Sequence, residues 1–286
     1  MKPWDFPFKD VLETIRIRTS CRTFRKQPVP DKMLDSIRAF IRENRTGPFG
    51  NSVDLRILDL TGSASREIRK LSTYGFIRGA KYFLAGVIRR MNHSLEDLGY
   101  CMEKAVLHAT DLGLGTCWVG GTFTRAGFSG RLNLGPDELL PAVVPFGLPA
   151  TRRPVSETVI RVLAGSKNRK SWQELFYDLK EGKPLDPGSC GPYSRVLEAV
   201  RLAPSASNRQ PWRILKENNH YHIMIKRSKV YEKLNAIRMQ DMDMGIAMCH
   251  FELAAMQLGL AGSWSFGETG PGAQDMEYIG TWKANP

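Results

Sequence analysis

The chain has 286 residues, enough for about two ordinary domains, and 42% of them are hydrophobic, which excludes wholesale disorder. It carries 41 Lys and Arg against 29 Asp and Glu, a formal net charge of +12, which indicates an anionic partner: nucleic acid, a membrane surface or a phosphate-bearing ligand. Five cysteines without a CxxC pair argue against a disulfide framework and a structural zinc site, and favour a reducing compartment.

The first residues resemble neither a signal peptide nor a membrane anchor. Residues 1–5 are charged and interrupted by Pro3, and the most apolar segment, residues 139–150, is twelve residues long and rich in proline. A spanning helix needs about 20 apolar residues. We therefore expect a soluble cytoplasmic protein with no membrane partner.

A basic segment, residues 16–26, is the first candidate site along the chain. Arg18 and Arg22 lie four residues apart with Ser20 between them, so two guanidinium groups and a hydroxyl can converge on one phosphate dianion. The same pattern is typical of a solvated basic helix end or of a nucleic-acid contact, and both alternatives stay open at this point.

The remaining pattern predicts a mixture of helices and short strands, hence an α+β or α/β layer. Short helices are predicted at residues 31–42 and 193–202, and strands at residues 55–60, 82–88, 142–146, 221–225 and 278–282. Two longer segments, residues 97–118 and 243–264, each predict a helix that ends at a glycine and continues into a strand.

Two loops combine small residues with polar ones. In residues 113–121 the glycines allow a ligand to approach backbone N–H groups, although the segment follows a helix and so is not a dinucleotide-binding fingerprint. In residues 203–212 two prolines and several small side chains suit a flat ligand, and Asn208 and Gln210 suit the edge of a heterocycle. Either loop is equally compatible with an ordinary connection made of turn formers. Lys167 and Arg169 form a further small cationic cluster.

The two long helical segments are similar to each other. Aligned without gaps at an offset of 146, they share nine identities in 22 positions, among them Asp97 with Asp243 and Trp118 with Trp264. A weaker match at an offset of 157 aligns residues 38–58 with 195–215. Chance similarity of two core helices is the alternative; we predict a tandem duplication. Residues 165–191 read as a connector, so we expect a first copy with connector at 1–186 and a second, shorter copy at 187–286.

Together these motifs resemble the FMN-dependent nitroreductase superfamily. Its Arg-x-Ser-x-Arg motif is matched by residues 18–22, its Pro-Ser-x-x-Asn-x-Gln-Pro-Trp loop by 204–212, its Gly-rich turn by 112–121, and its late Lys-x-Arg by 167–169. Ordinary members carry all of these motifs once, and two chains form a dimer with two flavin sites at the interface.

Here the motifs are divided between the two copies. The first copy keeps Arg-x-Ser-x-Arg and the Gly-rich turn, but of the loop pattern its residues 45–53 retain only Asn51. The second copy keeps the loop at 204–212 but has no Arg-x-Ser-x-Arg, and its Gly-rich turn has become residues 261–266. The resemblance therefore implies an α+β nitroreductase-like fold in two tandem copies, an intramolecular pseudo-dimer that acts as a monomer and holds one FMN.

The resemblance also implies an activity: hydride passes from NAD(P)H to FMN N5, then to a nitroaromatic, quinone or similar small-molecule acceptor, in a ping-pong reaction. The flavin carries this chemistry, so no catalytic side chain, protein acid or base, or metal is expected. His108 and His250, on the long helices, are expected to have packing or surface roles. The implied cofactor-binding residues are Arg18, Ser20, Arg22, Lys167 and Arg169 for the phosphate, Pro204, Ser205, Ala206, Asn208 and Gln210 for the ring, and the backbone of Val119, Gly120 and Gly121 for its N5/O4 edge.

Two other functions remain compatible with the sequence. A flavin-binding protein without turnover, such as a carrier or regulator, would keep the same binding residues. A basic nucleic-acid-binding protein would account for the charge, but it would leave both loops unexplained, and the sequence has no known nucleic-acid motif. We therefore expect no nucleic-acid partner.

Overall fold

The computed structural model describes residues 8–64, 68, 77–121, 123–151, 168–228, 237–267, 270–272 and 275–285. It has an α+β architecture, as the sequence predicts. Two sheets and a pair of long central helices make up this architecture. The helices are α1 (Val11–Ile17), α2 (Asp31–Glu43), α3 (Ser94–Asp111), α4 (Arg125–Leu132), α5 (Trp172–Leu175), α6 (Tyr193–Arg201) and α7 (Met239–Gln257).

The first sheet is antiparallel, with the strand order β1-β2-β4-β3. Its strands are β1 (Asp54–Asp59), β2 (Tyr82–Arg89), β3 (Gly115–Thr116) and β4 (Glu138–Gly147). Strand β4 is longer than the predicted residues 142–146. Its extension is compatible with Pro141 because the register against β2 shifts there, and proline is tolerated at such a bulge.

The second sheet has the order β6-β5-β7-β8-β10-β9. Its strands are β5 (Phe176–Asp178), β6 (Lys183–Pro184), β7 (Trp212–Glu217), β8 (His220–Ile225), β9 (Gly262–Ser265) and β10 (Glu277–Ala284). Strand β5 pairs in parallel with β7, and all other pairs are antiparallel. The connector strands β5 and β6 thus extend the sheet that contains β7–β10.

The two halves repeat one order of elements. The first half has the order α2, β1, β2, α3, β3 and β4, with α4 inserted between β3 and β4. The second half has the order α6, β7, β8, α7, β9 and β10, and its strands have the same neighbours in the sheet. Each central helix is followed by a glycine with a positive φ, Gly113 at 81° and Gly259 at 67°, a conformation in which glycine lacks the penalty of other residues. This correspondence supports the predicted duplication.

The central helices α3 and α7 pack closely against each other. Gly99 and Gly245, at equivalent positions, make this possible: a Cβ atom on Gly99 would collide with the backbone of Met242, and one on Gly245 with the backbone of Glu96. Helix α7 is buried on all sides over most of its length, whereas α2 and α6 are amphipathic helices that bury one face. The main core thus runs through both halves.

The five cysteines are buried free thiols, as expected for a chain without a disulfide framework. Within the described residues, no helix combines the length and the apolar character needed to cross a membrane.

Candidate functional site

A cleft of about 510 Å³ lies between the two halves, beside the central helices. The first half contributes residues from α1, from the extended segment after it and from the Gly-rich turn, while the second half contributes the 204–208 loop and the start of α7. Eleven of the thirteen predicted cofactor-binding residues line it: Arg18, Ser20, Arg22, Val119, Gly120, Gly121, Arg169, Pro204, Ser205, Ala206 and Asn208.

The side of the cleft that carries Arg18 and Arg22 is formed by extended backbone. Helix α1 ends at Ile17, and Ser20 then forms a parallel bridge with Thr116 at the edge of the first sheet. Side chains at alternate positions of extended backbone point the same way, which brings Arg18, Ser20 and Arg22 to one side. The segment is therefore not a solvated helix end, and Arg18 is only 8% exposed.

Arg18 is a buried cation with hydrogen-bonding capacity to spare. Its Nε atom has no partner among the residues that the structure describes. Leaving a buried charged donor unsatisfied costs more than the roughly 1–3 kcal/mol of a neutral group. An anionic ligand in the cleft would remove that cost, so the residues present fit a phosphate.

Arg169 lines the cleft but is also bound to the second half. Its Nη1 donates to the carbonyl of Ala203 (2.8 Å) and to Asn208 Oδ1 (3.0 Å), and its Nη2 donates to the carbonyl of Leu202 (2.8 Å). It thereby satisfies carbonyls at the end of α6. Burial, with the positive charges of Arg18 and Arg201, lowers the pKa of Arg169 to about 10, so the side chain stays cationic at neutral pH.

The loop at residues 204–210 has an unusual backbone conformation. Ser207, Asn208 and Gln210 have positive φ angles of 50°, 54° and 48°, which non-glycine residues adopt only when their surroundings impose them. The side-chain amide of Asn208 is directed into this framework, because its Nδ2 donates to the carbonyl of Asn168 (2.8 Å) while its Oδ1 accepts from Arg169.

Gln210, predicted to contact the ring edge, is not among the residues that line the cleft. The residue is 2% exposed, its Oε1 accepts from the backbone N–H of Lys170 (2.9 Å), and its Nε2 donates to the carbonyl of Asn208 (3.1 Å). It braces the loop from behind. The other predicted residue that is missing from the cleft, Lys167, lies outside the described residues.

The Gly-rich turn offers fewer backbone donors than the sequence suggests. Val119 lines the cleft but forms an antiparallel bridge with Val143, and its N–H donates to the Val143 carbonyl at 2.9 Å, so this N–H is already used in the structure. The N–H groups of Gly120 and Gly121 make no hydrogen bond within the described part of the chain and remain suitable donors.

Helix α7 supplies a wall of the cleft that sequence reasoning missed. Met239, Met242 and Ile246 present apolar surface, and Asp243 lies among them with 2% of its surface exposed. Asp243 Oδ1 accepts from the backbone N–H of Ala206 (2.9 Å), which ties α7 to the loop. Burial raises the pKa of Asp243 to about 8, and the charge of Asp241 adds to this. In the sequence, the signal that pointed to Asp243 was its identity with Asp97 at the equivalent position of the repeat.

The equivalent position in the other half is occupied by aromatic rings. Phe266 has the position of Gly120 in the repeat, and its ring centroid lies 4.0 Å from that of Phe49, which in turn stacks on His93 at 4.2 Å. We call Phe49, His93 and Phe266 the aromatic plug. A bulky side chain, 38% exposed, thus replaces a glycine of the Gly-rich turn.

A buried acid and histidine connect the Gly-rich turn to both central helices. Glu103 on α3 accepts from Trp118 Nε1 (2.6 Å) through one oxygen, and its other oxygen lies 3.0 Å from His250 Nε2 on α7. Neither Glu103 nor His250 has any exposed side-chain surface. His250 thus has the packing role expected for it, with its Nδ1 2.9 Å from the carbonyl of Ala199.

Comparisons with known proteins agree with this description. The family model described as "Putative TM nitroreductase" matches residues 10–255. Among solved structures, a "putative nitroreductase" from Thermotoga maritima matches with a TM-score of 0.62 and 22% identity, over 98% of this chain and 95% of that one. No curated protein matches the chain.

Other solved structures match about half of the chain's residues. A "putative nitroreductase in complex with FMN" from Desulfovibrio desulfuricans matches at 23% identity and a TM-score of 0.40, over 52% of this chain and 95% of that one. A "Putative NADH dehydrogenase/NAD(P)H nitroreductase" from Bacteroides thetaiotaomicron matches at 20% identity and a TM-score of 0.42, over 50% and 88%. The family match covers most of the chain and the full-length match has the same fold, so the resemblance inferred from the motifs is confirmed: the chain belongs to this nitroreductase family.

Proposed function

We propose that the chain is an FMN-dependent oxidoreductase that takes hydride from NAD(P)H and passes it to a nitroaromatic, quinone or similar acceptor. Family membership supports the reaction class. The observation that carries the cofactor assignment is the buried guanidinium of Arg18, whose Nε has no partner among the described residues, beside Ser20 and Arg22 in a cleft closed by both halves.

At the phosphate end, Arg18, Ser20 and Arg22 bind the dianion through charge-assisted hydrogen bonds, each worth about 1.5–3 kcal/mol. Arg169 contributes positive charge while it holds the loop in place. We assign Lys167 to the same end from its place in the family motif.

At the ring end, Pro204, Ser205 and Ala206 form a surface of small side chains opposite the Gly-rich turn. Met242 and Ile246 exclude water from the apolar side. The N–H groups of Gly120 and Gly121 are donors for a ring atom on which negative charge develops. When bound, FMN supplies the hydride chemistry, and the protein's part is to bind, orient and keep the site dry.

We further propose that the chain is an intramolecular pseudo-dimer that holds one FMN. The repeated order of elements supports the pseudo-dimer. The aromatic plug supports the single site, because Phe266 stands where the complete site has Gly120.

Titration with FMN and nicotinamide tests these proposals. The purified protein is expected to bind one equivalent of FMN, with a change in the visible flavin spectrum, and to lose the flavin absorbance when NADH or NADPH is added without oxygen. Arg18→Ala should bind FMN more weakly, whereas Arg38→Ala, which removes an exposed cation paired with Asp35, should bind as the wild type does.

Three results would contradict parts of the proposal. Absence of FMN binding would refute the cofactor assignment. Binding without bleaching by either nicotinamide would indicate a flavin carrier or regulator instead of an enzyme. Two equivalents of FMN per chain would refute the single site.

A further inference from the structure

Asp243 is the one carboxyl group among the described residues that line the cleft. Besides arginines, the described lining residues have only apolar, hydroxyl and amide side chains or are glycines. Among them, Asp243 is the side-chain acid from which a ligand in this cleft could take a proton.

The duplication provides an internal comparison for this carboxyl group. Asp97, the equivalent residue, has both oxygens satisfied: Oδ1 accepts from the N–H of Phe49 (2.9 Å), and Oδ2 accepts from the N–H (2.8 Å) and the side-chain amide (2.9 Å) of Asn51. Asp243 receives only the N–H of Ala206 on Oδ1, and its Oδ2 is buried without a partner in the described part of the chain. Both carboxyl groups accept a hydrogen bond from a loop, but of the two only Asp243, beside the cleft, has an oxygen without a hydrogen-bond partner among the described residues.

The surroundings favour the neutral acid. When a carboxylate is buried it loses its hydrating water, and a single hydrogen bond from a neutral donor does not replace it. Burial therefore raises the pKa of Asp243 to about 8. The charged groups on the elements around it are Asp241 and Glu252 on α7, Glu96, Asp97, Glu103, Lys104 and Asp111 on α3, and Arg16, Arg18, Arg22 and Arg169 along the cleft. A bound phosphate would offset the arginine charges.

We propose that Asp243 is the proton donor of the cleft, giving the Oδ2 proton to an oxygen of the quinone or nitro acceptor as it is reduced. This rests on the proposed function. Hydride brings two electrons and one proton, but a quinone needs a second proton to become a hydroquinone, and a nitro group needs it to become a nitroso group and water. The O–H bond of Asp243 breaks, an O–H bond forms on the acceptor, and the carboxylate regains its proton from water.

The test separates the two half-reactions in Asp243→Asn. FMN affinity and bleaching by NAD(P)H are measured on the same variant, and reoxidation is followed only in protein that is saturated with FMN and fully reduced, so that a change in either does not enter the quinone rate. Reoxidation of the reduced holoprotein by a quinone, without oxygen, should slow at pH 6 by roughly 100-fold, the lower end of what general acid catalysis contributes. Reoxidation by ferricyanide, which accepts single electrons and needs no proton, should not change.

Two further readouts distinguish proton donation from a structural role. In the wild type, the quinone rate should fall as the pH rises above about 8, and in Asp243→Asn this dependence should disappear. Infrared spectra of the wild type should show a carboxylic C=O band that is lost as the pH rises through the same range and is absent from the variant, whatever the turnover rate. Asp97→Asn, which alters the equivalent loop contact away from the cleft, is the matched control and should keep both half-reactions within about twofold.

A quinone rate in Asp243→Asn equal to that of the wild type would overturn the proposal, and so would equal slowing with quinone and ferricyanide. If the variant does not fold, the wild type decides: a quinone rate that does not change with pH, or a missing infrared titration, overturns the proposal. If the wild type does not bind FMN or is not bleached by nicotinamide, the proposed function fails first, and that failure is visible before any acceptor is added.

Discussion

The Glu103–His250 pair should be the most sensitive contact between the two central helices. Both side chains are fully buried, and the pair joins α3 to α7 at 3.0 Å. Removing one partner of such a pair leaves a buried polar group uncompensated, which typically costs about 3–5 kcal/mol. We therefore expect Glu103→Leu, which leaves Trp118 Nε1 and His250 Nε2 without a partner, to lower the free energy of unfolding by about 3–5 kcal/mol.

The assay is urea unfolding followed by circular dichroism, with a thermal melt as the second measurement. For a chain somewhat longer than 250 residues, each kcal/mol corresponds to about 2–4 °C in Tm, so the variant should melt roughly 6–20 °C lower. Glu198→Gln is the matched control, because Glu198 pairs with Arg201 at the surface of α6 and such pairs are worth about 0–1 kcal/mol.

The glutamine variant tests the physical reason for the loss. Glutamine is close in volume to glutamate, and its amide can still accept from Trp118 Nε1 and donate to His250 Nε2, so Glu103→Gln should be more stable than Glu103→Leu. A loss below about 1 kcal/mol in Glu103→Leu, or a glutamine variant less stable than the leucine one, would refute the reasoning.

Three other predictions concern the cleft and the plug. Arg22→Ala should weaken FMN binding by about 1.5–3 kcal/mol in a fluorescence titration, and unchanged affinity would remove Arg22 from the phosphate site. Phe266→Ala should leave the stoichiometry at one FMN per chain by calorimetry, because the second copy has no Arg-x-Ser-x-Arg, and a second equivalent would show that the plug alone closes that site. Burial raises the pKa of Asp243 from 3.8 to about 8, so between these pH values the folded chain holds a proton that the unfolded chain has lost. The free energy of unfolding of the wild type, minus that of Asp243→Asn, should therefore be greatest at about pH 4 and below, and fall toward pH 8 by up to about 1.4 kcal/mol per pH unit. If urea unfolding gives the same difference at pH 5 and at pH 7, this prediction is contradicted.

Local patterns predict much of the fold. The strand expected at residues 55–60 is found at Asp54–Asp59, and the helix expected at 31–42 at Asp31–Glu43, since alternation and helical periodicity are encoded by neighbours in the chain. The motifs likewise locate most of the cleft, because the spacing of Arg18, Ser20 and Arg22 suits extended backbone as well as a helix.

What the sequence does not predict depends on contacts between distant residues. The N–H of Val119 is taken by Val143, and the amide of Gln210 by Lys170 and Asn208, which no local pattern encodes. Asp243 shows the same limit. The expectation that the reaction needs no protein acid came from the chemistry that the flavin itself carries, whereas a buried oxygen without a partner among the described residues becomes visible only when the helix and the loop are placed together.

The cleft draws its walls from both halves of the chain, so whatever binds there also ties the halves together. A ligand present at 100 times its Kd adds about 2.7 kcal/mol to the free energy of unfolding. FMN would therefore act as a folding partner as well as a redox group. In a cell short of flavin, this chain would be expected to lose abundance through proteolysis of its unfolded form, in addition to losing turnover.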